Sequence, residues 1–275
     1  MTSKIISAAI ILTMTFLAAC HTSKELENLS AEDRFELAKK KFDDGNYLEA
    51  IEEFRVITLQ FPGNTVADSA QFYLAESYFH RDQFILAAAE YETLIRSMST
   101  SKLVPTTRYQ IGMCYYSLSP SSDLDQKYTL KALDALQSFI EYHPTNPLVP
   151  QAEEKIRELN TKRAKKEYDS GVIYMRMEYY KSAERQFDFV LEKYHDTEYA
   201  DRAQIGKIEA LVARKRWLEA KKEVDKFHDK YPSSPLKKQA ESLKRQIESN
   251  LQGRSESKAQ GEAPSEKPAS KTEVK

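Results

Sequence analysis

The chain has 275 residues, of which 41% are hydrophobic and 30% are charged, and its 41 Lys and Arg side chains nearly balance its 42 Asp and Glu side chains to a formal net charge of −1. Because this balance leaves no basic excess to neutralise phosphates, we expect no nucleic-acid partner. Glycine is scarce and the ten prolines fall between apolar runs, which is typical of an all-α protein.

The first nineteen residues are predicted to be an export signal. Residues 5–19 carry no charge and are too few for a bilayer-spanning helix, which needs roughly 20 apolar residues. Residues 17–20 read LAAC and resemble the bacterial lipoprotein box, in which the cysteine, here Cys20, is acylated; a plain secretory signal with an incidental cysteine is the alternative. Since His21 rather than Asp follows, the sorting habit of such lipoproteins favours the outer membrane. We expect a lipid anchor there, a tether over residues 20–30 and a chain that faces the periplasm.

The region that follows contains an internal repeat. Four decapeptides, at 61–70, 143–152, 194–203 and 231–240, lie between amphipathic runs; proline near the front of such a junction stops one helix, and the Ser, Thr, Asn or Asp behind it can accept hydrogen bonds from the start of the next. A second pattern, an aromatic residue followed at +3 by Ala and at +7 by an apolar residue, recurs between junctions, with Thr replacing the aromatic residue once. The five triplets are Tyr47, Ala50, Phe54; Phe84, Ala87, Tyr91; Thr129, Ala132, Leu136; Tyr180, Ala183, Phe187; and Trp217, Ala220, Val224. The spacing predicts a superhelix of tetratricopeptide-like helix pairs, whose usual period is about 34 residues.

Five such units are predicted, three in residues 31–150 and two, with a C-terminal helix, in residues 151–252. The third unit carries an insertion, 119–126, between its helices. The stretch Gln151 to Tyr168 contains neither proline nor glycine and is predicted to be a long helix that joins units 1–3 to units 4–5. Residues 253–275 contain no aromatic side chain and too little apolar surface to offset the entropy of ordering, so we predict that this tail is disordered.

Aromatic residues recur on the first helices of the early units, which form most of the inner wall of a stacked repeat array. In each of the first three units, two positions one heptad apart are both aromatic. The six residues are Phe35, Phe42, Phe72, Phe79, Tyr109 and Tyr116. In units 4 and 5 the equivalent residues are Tyr168, Met175, Ile205 and Val212, so the aromatic stripe fades. We expect the six rings to line a groove for an extended peptide with aromatic or apolar anchors.

The alternative is that these rings belong to the core and that the alignment is shifted by one residue. Unit 1 gives this alternative its strongest support, because Arg34 and Lys41 stand at sites that usually pack between helices.

The sequence indicates no catalytic or metal-binding site. The five histidines are scattered, and HExxH, CxxC, GxSxG and phosphate-binding glycine motifs are absent from the sequence. If Cys20 carries a lipid, Cys114 is the remaining thiol, and its apolar helical context is typical of a buried, unreactive cysteine. We therefore predict a protein that is not an enzyme and has no cofactor or metal.

A lipoprotein box followed by five tetratricopeptide units resembles the BamD family, the lipoproteins of the machinery that assembles β-barrel proteins in the outer membrane. The most specific stretch is 123–187, where Gln126, Thr129 and Ala132, the long helix and a Tyr-rich unit follow one another in the family's order. The resemblance implies that the N-terminal units receive the aromatic-ending targeting strand of unfolded outer-membrane proteins. It also implies that the C-terminal units dock on a BamA-like barrel subunit, with other assembly lipoproteins as further partners.

The candidate for a docking residue in unit 4 is Arg185. The family often has Arg just before the apolar positions of this unit, and here the alignment places Gln186 there, with Arg185 one residue away.

Three other functions stay open. A pilotin-like lipoprotein for pilus or secretin assembly usually keeps the period of about 34 residues more strictly and lacks the insertion at 119–126. A periplasmic factor of the Tol–Pal type normally carries an N-terminal coiled coil and no lipid, whereas the first unit here starts within about ten residues of Cys20. A peptidoglycan or peptide enzyme would need a polar catalytic pocket that the sequence does not indicate. The sequence favours the outer-membrane assembly adaptor.

Overall fold

The computed structural model describes residues 29–261, with side chains described up to residue 253. These residues form helices joined by turns and loops, without a strand. The helices are α1 (Ala31–Asp43), α2 (Tyr47–Gln60), α3 (Ala67–His80), α4 (Phe84–Ser97), α5 (Val104–Leu118), α6 (Lys127–Tyr142), α7 (Val149–Arg176), α8 (Tyr180–Lys193), α9 (Ala200–Ala213), α10 (Trp217–Lys230) and α11 (Lys237–Gly261). The predicted all-α fold is confirmed. The signal at 1–19 and the lipid site Cys20 lie outside the described residues.

The second helix of each pair begins at or just before the residue that opens the repeated triplet. Four of these helices start directly on it, at Tyr47, Phe84, Tyr180 and Trp217. The alanine three residues later is fully buried in all five pairs. These alanines are Ala50, Ala87, Ala132, Ala183 and Ala220. Because alanine lets two helices approach closely, the spacing read from the sequence reflects helix-pair packing, and the repeat alignment is confirmed.

The turn inside four of the helix pairs has the same conformation. The residue two positions before the second helix has a left-handed backbone, with φ of 79° at Gly45, 57° at Asp82, 61° at Glu178 and 57° at Lys215. A left-handed residue after a helix is a common way to end it, and glycine adopts that conformation without the steric cost that other residues bear. In the third pair the insertion takes the place of this turn.

The insertion is a folded loop between α5 and α6. Gln126 donates hydrogen bonds through its side-chain amide to the carbonyls of Ser121, at 2.8 Å, and Leu124, at 3.0 Å. Its amide oxygen accepts a hydrogen bond from the hydroxyl of Thr129, 2.7 Å away. Thr129 is fully buried, so these two polar side chains hold the loop on the start of α6.

Three of the predicted junctions use their polar residues in a different way from the one expected, and the junction before α5, which was not among the predicted decapeptides, does the same through Ser101. Asn64, Ser101, Asn146 and Ser234 each accept a hydrogen bond from the backbone N–H two residues further on. That N–H belongs to the turn just ahead of the helix rather than to the helix itself. The side chains therefore fix the turn instead of capping the helix.

The helices group into two bodies, which divide inside α7 between Leu159 and Asn160. We call them the N-terminal body (residues 29–159) and the C-terminal body (residues 160–261). The division lies within the predicted long helix, which is confirmed as a single 28-residue helix. The largest fully buried side chains in the N-terminal body include Phe54, Tyr91 and Phe139, and those in the C-terminal body include Phe187 and Phe227.

The last helix runs further than expected. α11 continues to Gly261, past residue 253, where the predicted disordered tail begins. Five of the nine residues from 253 to 261 are Arg, Glu, Lys, Ala or Gln, which are good helix formers and favour a helix even where little apolar surface is available for burial. Residues 262–275 lie outside the described residues. Among residues 29–261, no helix is long and apolar enough to cross a membrane.

Candidate peptide-binding site

All six aromatic residues predicted to line a groove are half-buried. Phe35 and Phe42 lie on α1, and Phe72 and Phe79 lie on α3; these four pack against one hydrophobic core. The other two, Tyr109 and Tyr116 on α5, pack against a separate core together with residues of α6 and α7. Every one of the six thus has part of its surface in contact with solvent.

Tyr73, which the repeat spacing does not predict as a site residue, connects three of these rings. Its ring centroid lies 6.1 Å from that of Phe35, 5.2 Å from Phe42 and 5.7 Å from Phe72, with the planes steeply inclined. It also stacks on the buried ring of Phe54 at 5.8 Å. Edge-to-face pairs at such distances stabilise one another beyond their buried area. Tyr73 follows Phe72 directly in the chain, and this adjacent pair is the sequence signal that would have pointed to it.

Two further rings extend this group toward the ends of α1 and α3. Tyr47 and His80 stack at 4.9 Å with nearly parallel planes, and Phe42 meets both edge-on. Phe79 lies beside His80 at 6.2 Å. We call the whole group the aromatic cluster. Its members are Phe35, Phe42, Tyr47, Phe72, Tyr73, Phe79 and His80.

A cation sits on the aromatic cluster. The ammonium of Lys39 lies 5.0 Å from the ring centre of Tyr73 and 5.7 Å from that of Phe42. Its hydrogen bonds to the Asp43 carboxylate, at 2.5 and 2.6 Å, raise the pKa of Lys39, so that it carries its charge throughout the physiological range. Rings beside a fixed ammonium form a surface that suits an aromatic side chain together with a carboxylate.

Charged side chains join α1 to α2 at positions that are normally apolar and packed between the helices of a pair. Arg34 is 7% exposed and its guanidinium lies 2.5 Å from the carboxylate of Glu53 on α2; Lys41 binds the other oxygen of that carboxylate at 2.8 Å. Arg34 therefore points between the helices, as the repeat alignment requires, and neighbouring Phe35 is the partly exposed residue. The one-residue shift considered for unit 1 does not describe this pair.

The two tyrosines of α5 stand apart from the aromatic cluster. Tyr109 contacts Phe139 edge-on at 5.6 Å, and burial raises its pKa. The hydroxyl of Tyr116 donates to Glu158, which raises the pKa of Tyr116, and Lys155 lies 4.8 Å from the centre of its ring. Of the six predicted rings, four therefore lie around Tyr73 and His80, and the other two, Tyr109 and Tyr116, pack against a different core.

Arg185 is exposed on α8. The residues on either side of it are engaged within the C-terminal body: Glu184 binds Arg214, and Gln186 donates to Glu167. At the end of α7 and in the turn that follows, three large apolar residues are more than half exposed. They are Ile173 at 53%, Met177 at 52% and Tyr179 at 57%. An exposed group of this kind is a common mark of a protein–protein contact.

Cys114 is fully buried, and burial together with the nearby Glu76 carboxylate raises the pKa of its thiol to about 12. Within the described residues, no three His, Cys, Asp or Glu side chains come together as a metal site.

Comparisons with known proteins place the chain among lipoproteins of the outer membrane. The model of the family YfiO, described as outer membrane lipoprotein, matches residues 27–211. The chain is 26% identical over 239 residues to the outer membrane protein assembly factor BamD of Rickettsia prowazekii, covering 84% of this chain and 93% of that protein. It is 22% identical over 212 residues to BamD of Caulobacter vibrioides (75% and 70% covered) and 19% identical over 211 residues to BamD of Vibrio cholerae (73% and 88% covered).

Among solved structures, the TPR2AB domain of yeast Sti1 in complex with pHSP90 has a TM-score of 0.43 at 15% identity, covering 80% of this chain and 84% of that one. A tetratricopeptide repeat protein from Parabacteroides merdae has a TM-score of 0.34 at 16% identity, with 83% and 76% covered.

Proposed function

The chain belongs to the YfiO family of outer membrane lipoproteins, and we propose that it is an assembly factor for outer-membrane proteins that receives unfolded clients on its aromatic cluster. The resemblance to the BamD family drawn from the sequence is confirmed by the family match and by three relatives, all of them named outer membrane protein assembly factors. This relationship favours the assembly role over the pilotin-like and Tol–Pal alternatives.

The observation that carries client binding is the environment of Tyr73. Three half-buried rings meet it at 5.2–6.1 Å, and the ammonium of Lys39 lies 5.0 Å from its centre. A peptide whose last residue is aromatic would place its ring against Phe42 and Tyr73 and its terminal carboxylate near Lys39. Such a site selects the end of a chain rather than an internal aromatic residue, because an internal residue has no free carboxylate.

Partner docking is assigned to the C-terminal body. The exposed apolar residues Ile173, Met177 and Tyr179 provide surface that a partner can cover, and the exposed Arg185 lies on the next helix. Aromatic, Met and Arg side chains are enriched at protein interfaces. The partner is a BamA-like barrel subunit, with other assembly lipoproteins as further members of the complex.

The membrane anchor is assigned to Cys20, with the chain in the outer membrane and facing the periplasm. This assignment rests on the LAAC motif at 17–20 and on membership of an outer membrane lipoprotein family. The role is one of binding without catalysis or a cofactor: the buried Cys114, with its pKa raised to about 12, is a poor nucleophile.

The test of this function is affinity purification of the tagged full chain from solubilised envelopes. We expect an integral barrel protein with periplasmic domains to co-purify. Arg185→Glu should reduce its recovery, whereas the matched control Arg245→Glu, which reverses an exposed charge on α11, should leave it unchanged. Recovery of a secretin in place of the barrel subunit would overturn the assignment.

A further inference from the structure

The C-terminal body contains a cleft of about 610 Å³. Its apolar lining comes from three directions: Tyr168, Val172 and Met175 on α7, Ile205 on α9, and Leu236 just before α11. Three of these residues are the ones at which the aromatic stripe fades in the repeat alignment. These positions of the later units therefore line an apolar cleft, in which Tyr168 is the aromatic residue among them.

The floor of this cleft is built by close helix packing. The ring of Phe187 from α8 lies between Gly171 on α7 and Gly206 on α9. A Cβ atom at Gly171 would be 2.5 Å from that ring and one at Gly206 would be 2.6 Å from it, so a side chain at either position would displace the ring. The glycines let the ring fill the space between the helices and leave the cleft open above it.

The rim of the cleft is acidic. Its charged residues are Glu198, Asp201 and Glu209 against a single cation, Arg202, which pairs with Glu198 at 3.4 Å. Asp201 and Glu209 accept hydrogen bonds from neutral donors, a serine hydroxyl at 2.6 Å and a glutamine amide at 2.8 Å. Neither of these two carboxylates forms an ion pair with Arg202, the cation of the lining.

We infer that this cleft binds a polypeptide segment of a partner in which a large apolar side chain stands next to lysine or arginine. The volume is in the range of ordinary ligand sites, and the apolar floor favours burial of aliphatic or aromatic side chains. The carboxylates attract a flanking cation and repel a chain-terminal carboxylate. The first helices of consecutive repeats are also the wall on which repeat arrays hold extended segments.

The two bodies thus carry sites with different charged groups beside their apolar surfaces. The aromatic cluster has the ammonium of Lys39, itself paired with Asp43, on its rings, whereas the cleft has Asp201 and Glu209 on its rim. A chain end with an aromatic residue and a free carboxylate fits the first, and a basic apolar segment fits the second. The inference concerns the cleft alone and does not depend on the proposed function.

The test uses the full chain in detergent and two short fluorescent peptides with capped ends. One alternates lysine with leucine around a central phenylalanine, and the other has glutamate in place of each lysine. We expect the lysine peptide to bind more tightly, with an affinity that falls as salt is added. The charge-neutral double variant Asp201→Asn, Glu209→Gln keeps both hydrogen-bond acceptors, and we expect it to weaken the lysine peptide by about three- to tenfold.

The matched control removes two carboxylates from elsewhere in the same body, Glu192→Gln with Asp225→Asn, both on exposed residues outside the cleft lining. It should leave the affinity within about twofold of the parent. Equal binding of the two peptides, or equal losses in the two double variants, contradicts the inference. A photoreactive group at the peptide's central ring should label Met175 or its neighbours in the cleft, and labelling confined to the N-terminal body contradicts it as well.

Two other possible occupants of the cleft, the C-terminal end of the chain and a second copy of the protein, would each give a different experimental result. If removal of residues 262–275 strengthens peptide binding, the chain's own end fills the cleft, and if the double variant dissolves a dimer, a second copy does; either result overturns the assignment to a partner. Failure of this inference is distinguished from failure of the proposed function by a further peptide. That peptide has a free aromatic C-terminus, reports on the aromatic cluster, and should bind the cleft variant with unchanged affinity.

Discussion

Arg34 and Glu53 form a buried ion pair between α1 and α2, with a nitrogen and an oxygen 2.5 Å apart. The two residues are 19 positions apart, and the same spacing joins Gln71 to Glu90 in the second pair of helices and Gln204 to Glu223 in the fifth. In those pairs an amide makes the contact. The first pair therefore uses a charged version of a link that the other two make with a neutral donor.

We predict that the loss of Glu53 destabilises the N-terminal body more than the loss of Arg34. Glu53→Ala leaves Arg34 and Lys41 without their shared carboxylate and should cost about 3–5 kcal/mol in the free energy of unfolding. Arg34→Ala should cost less, because Lys41 still binds Glu53, and Arg34→Gln, which copies the second pair, should cost least. Urea unfolding followed by circular dichroism measures this order, and a larger loss for Arg34→Gln than for Glu53→Ala would contradict it.

The left-handed turns supply a gain-of-stability prediction. Lys215 has φ of 57°, a conformation that is costly for a residue with a side chain and free for glycine. Lys215→Gly should raise the unfolding free energy by about 0.5–1 kcal/mol, since the relieved strain exceeds the added entropy of the unfolded chain. Lys221→Gly, on the exposed face of α10, is the matched control and should lower the free energy by about 1 kcal/mol. A decrease for both variants in thermal unfolding would be the contrary result.

Cys114 should not react with thiol reagents while the protein is folded. Its thiol is fully buried and has a pKa raised to about 12, against an ordinary value near 8.5 for an unfolded chain. A thiol reagent at pH 8 should therefore label it only after urea is added. If Cys20 carries the lipid, one thiol per chain reacts under those conditions; rapid labelling without urea would contradict the burial of Cys114.

The same raised pKa gives a direction for the pH dependence of stability. The fold favours the neutral thiol, so the stabilisation is complete below the unfolded pKa and is lost as the pH rises from about 8.5 toward about 12. Cys114→Ala should reduce the part of the alkaline destabilisation that falls within this window. Parallel urea titrations of parent and variant across it measure the difference, and identical slopes would argue against ionisation of this thiol on unfolding.

Sequence reasoning located the repeats because helix packing imposes a period on the chain. An alanine must stand where two helices touch, and Ala50, Ala87 and their three equivalents are all fully buried. The contacts of Tyr73 with Phe35 and Phe42 join rings of different helix pairs, and a single group of ring contacts imposes no period on the sequence. The heptad spacing selected Phe72 and so did not predict its neighbour Tyr73. The cleft could not be predicted because its floor depends on Phe187 filling the space between Gly171 and Gly206, which are far apart in the sequence.

The aromatic groove also shows what an alignment leaves out. The six predicted rings occupy equivalent places in three units, yet the ring contacts divide them, since Tyr109 turns to Phe139 while Phe35 and Phe42 turn to Tyr73. Equivalent positions fix which helix face a residue lies on. The neighbours that it meets there depend on the side chains of the next helix, which differ from unit to unit.

The aromatic cluster is tested most directly by the affinity of the full chain for a peptide that ends in phenylalanine with a free carboxylate, measured beside the same peptide as its amide. We expect Tyr73→Leu to weaken both peptides by about tenfold, because the shared ring contacts are lost. Lys39→Gln should weaken only the free carboxylate, by about threefold, while Lys40→Gln on the exposed face of α1 changes neither. Undiminished capture by Tyr73→Leu and Lys39→Gln chains of normal helix content would contradict the account.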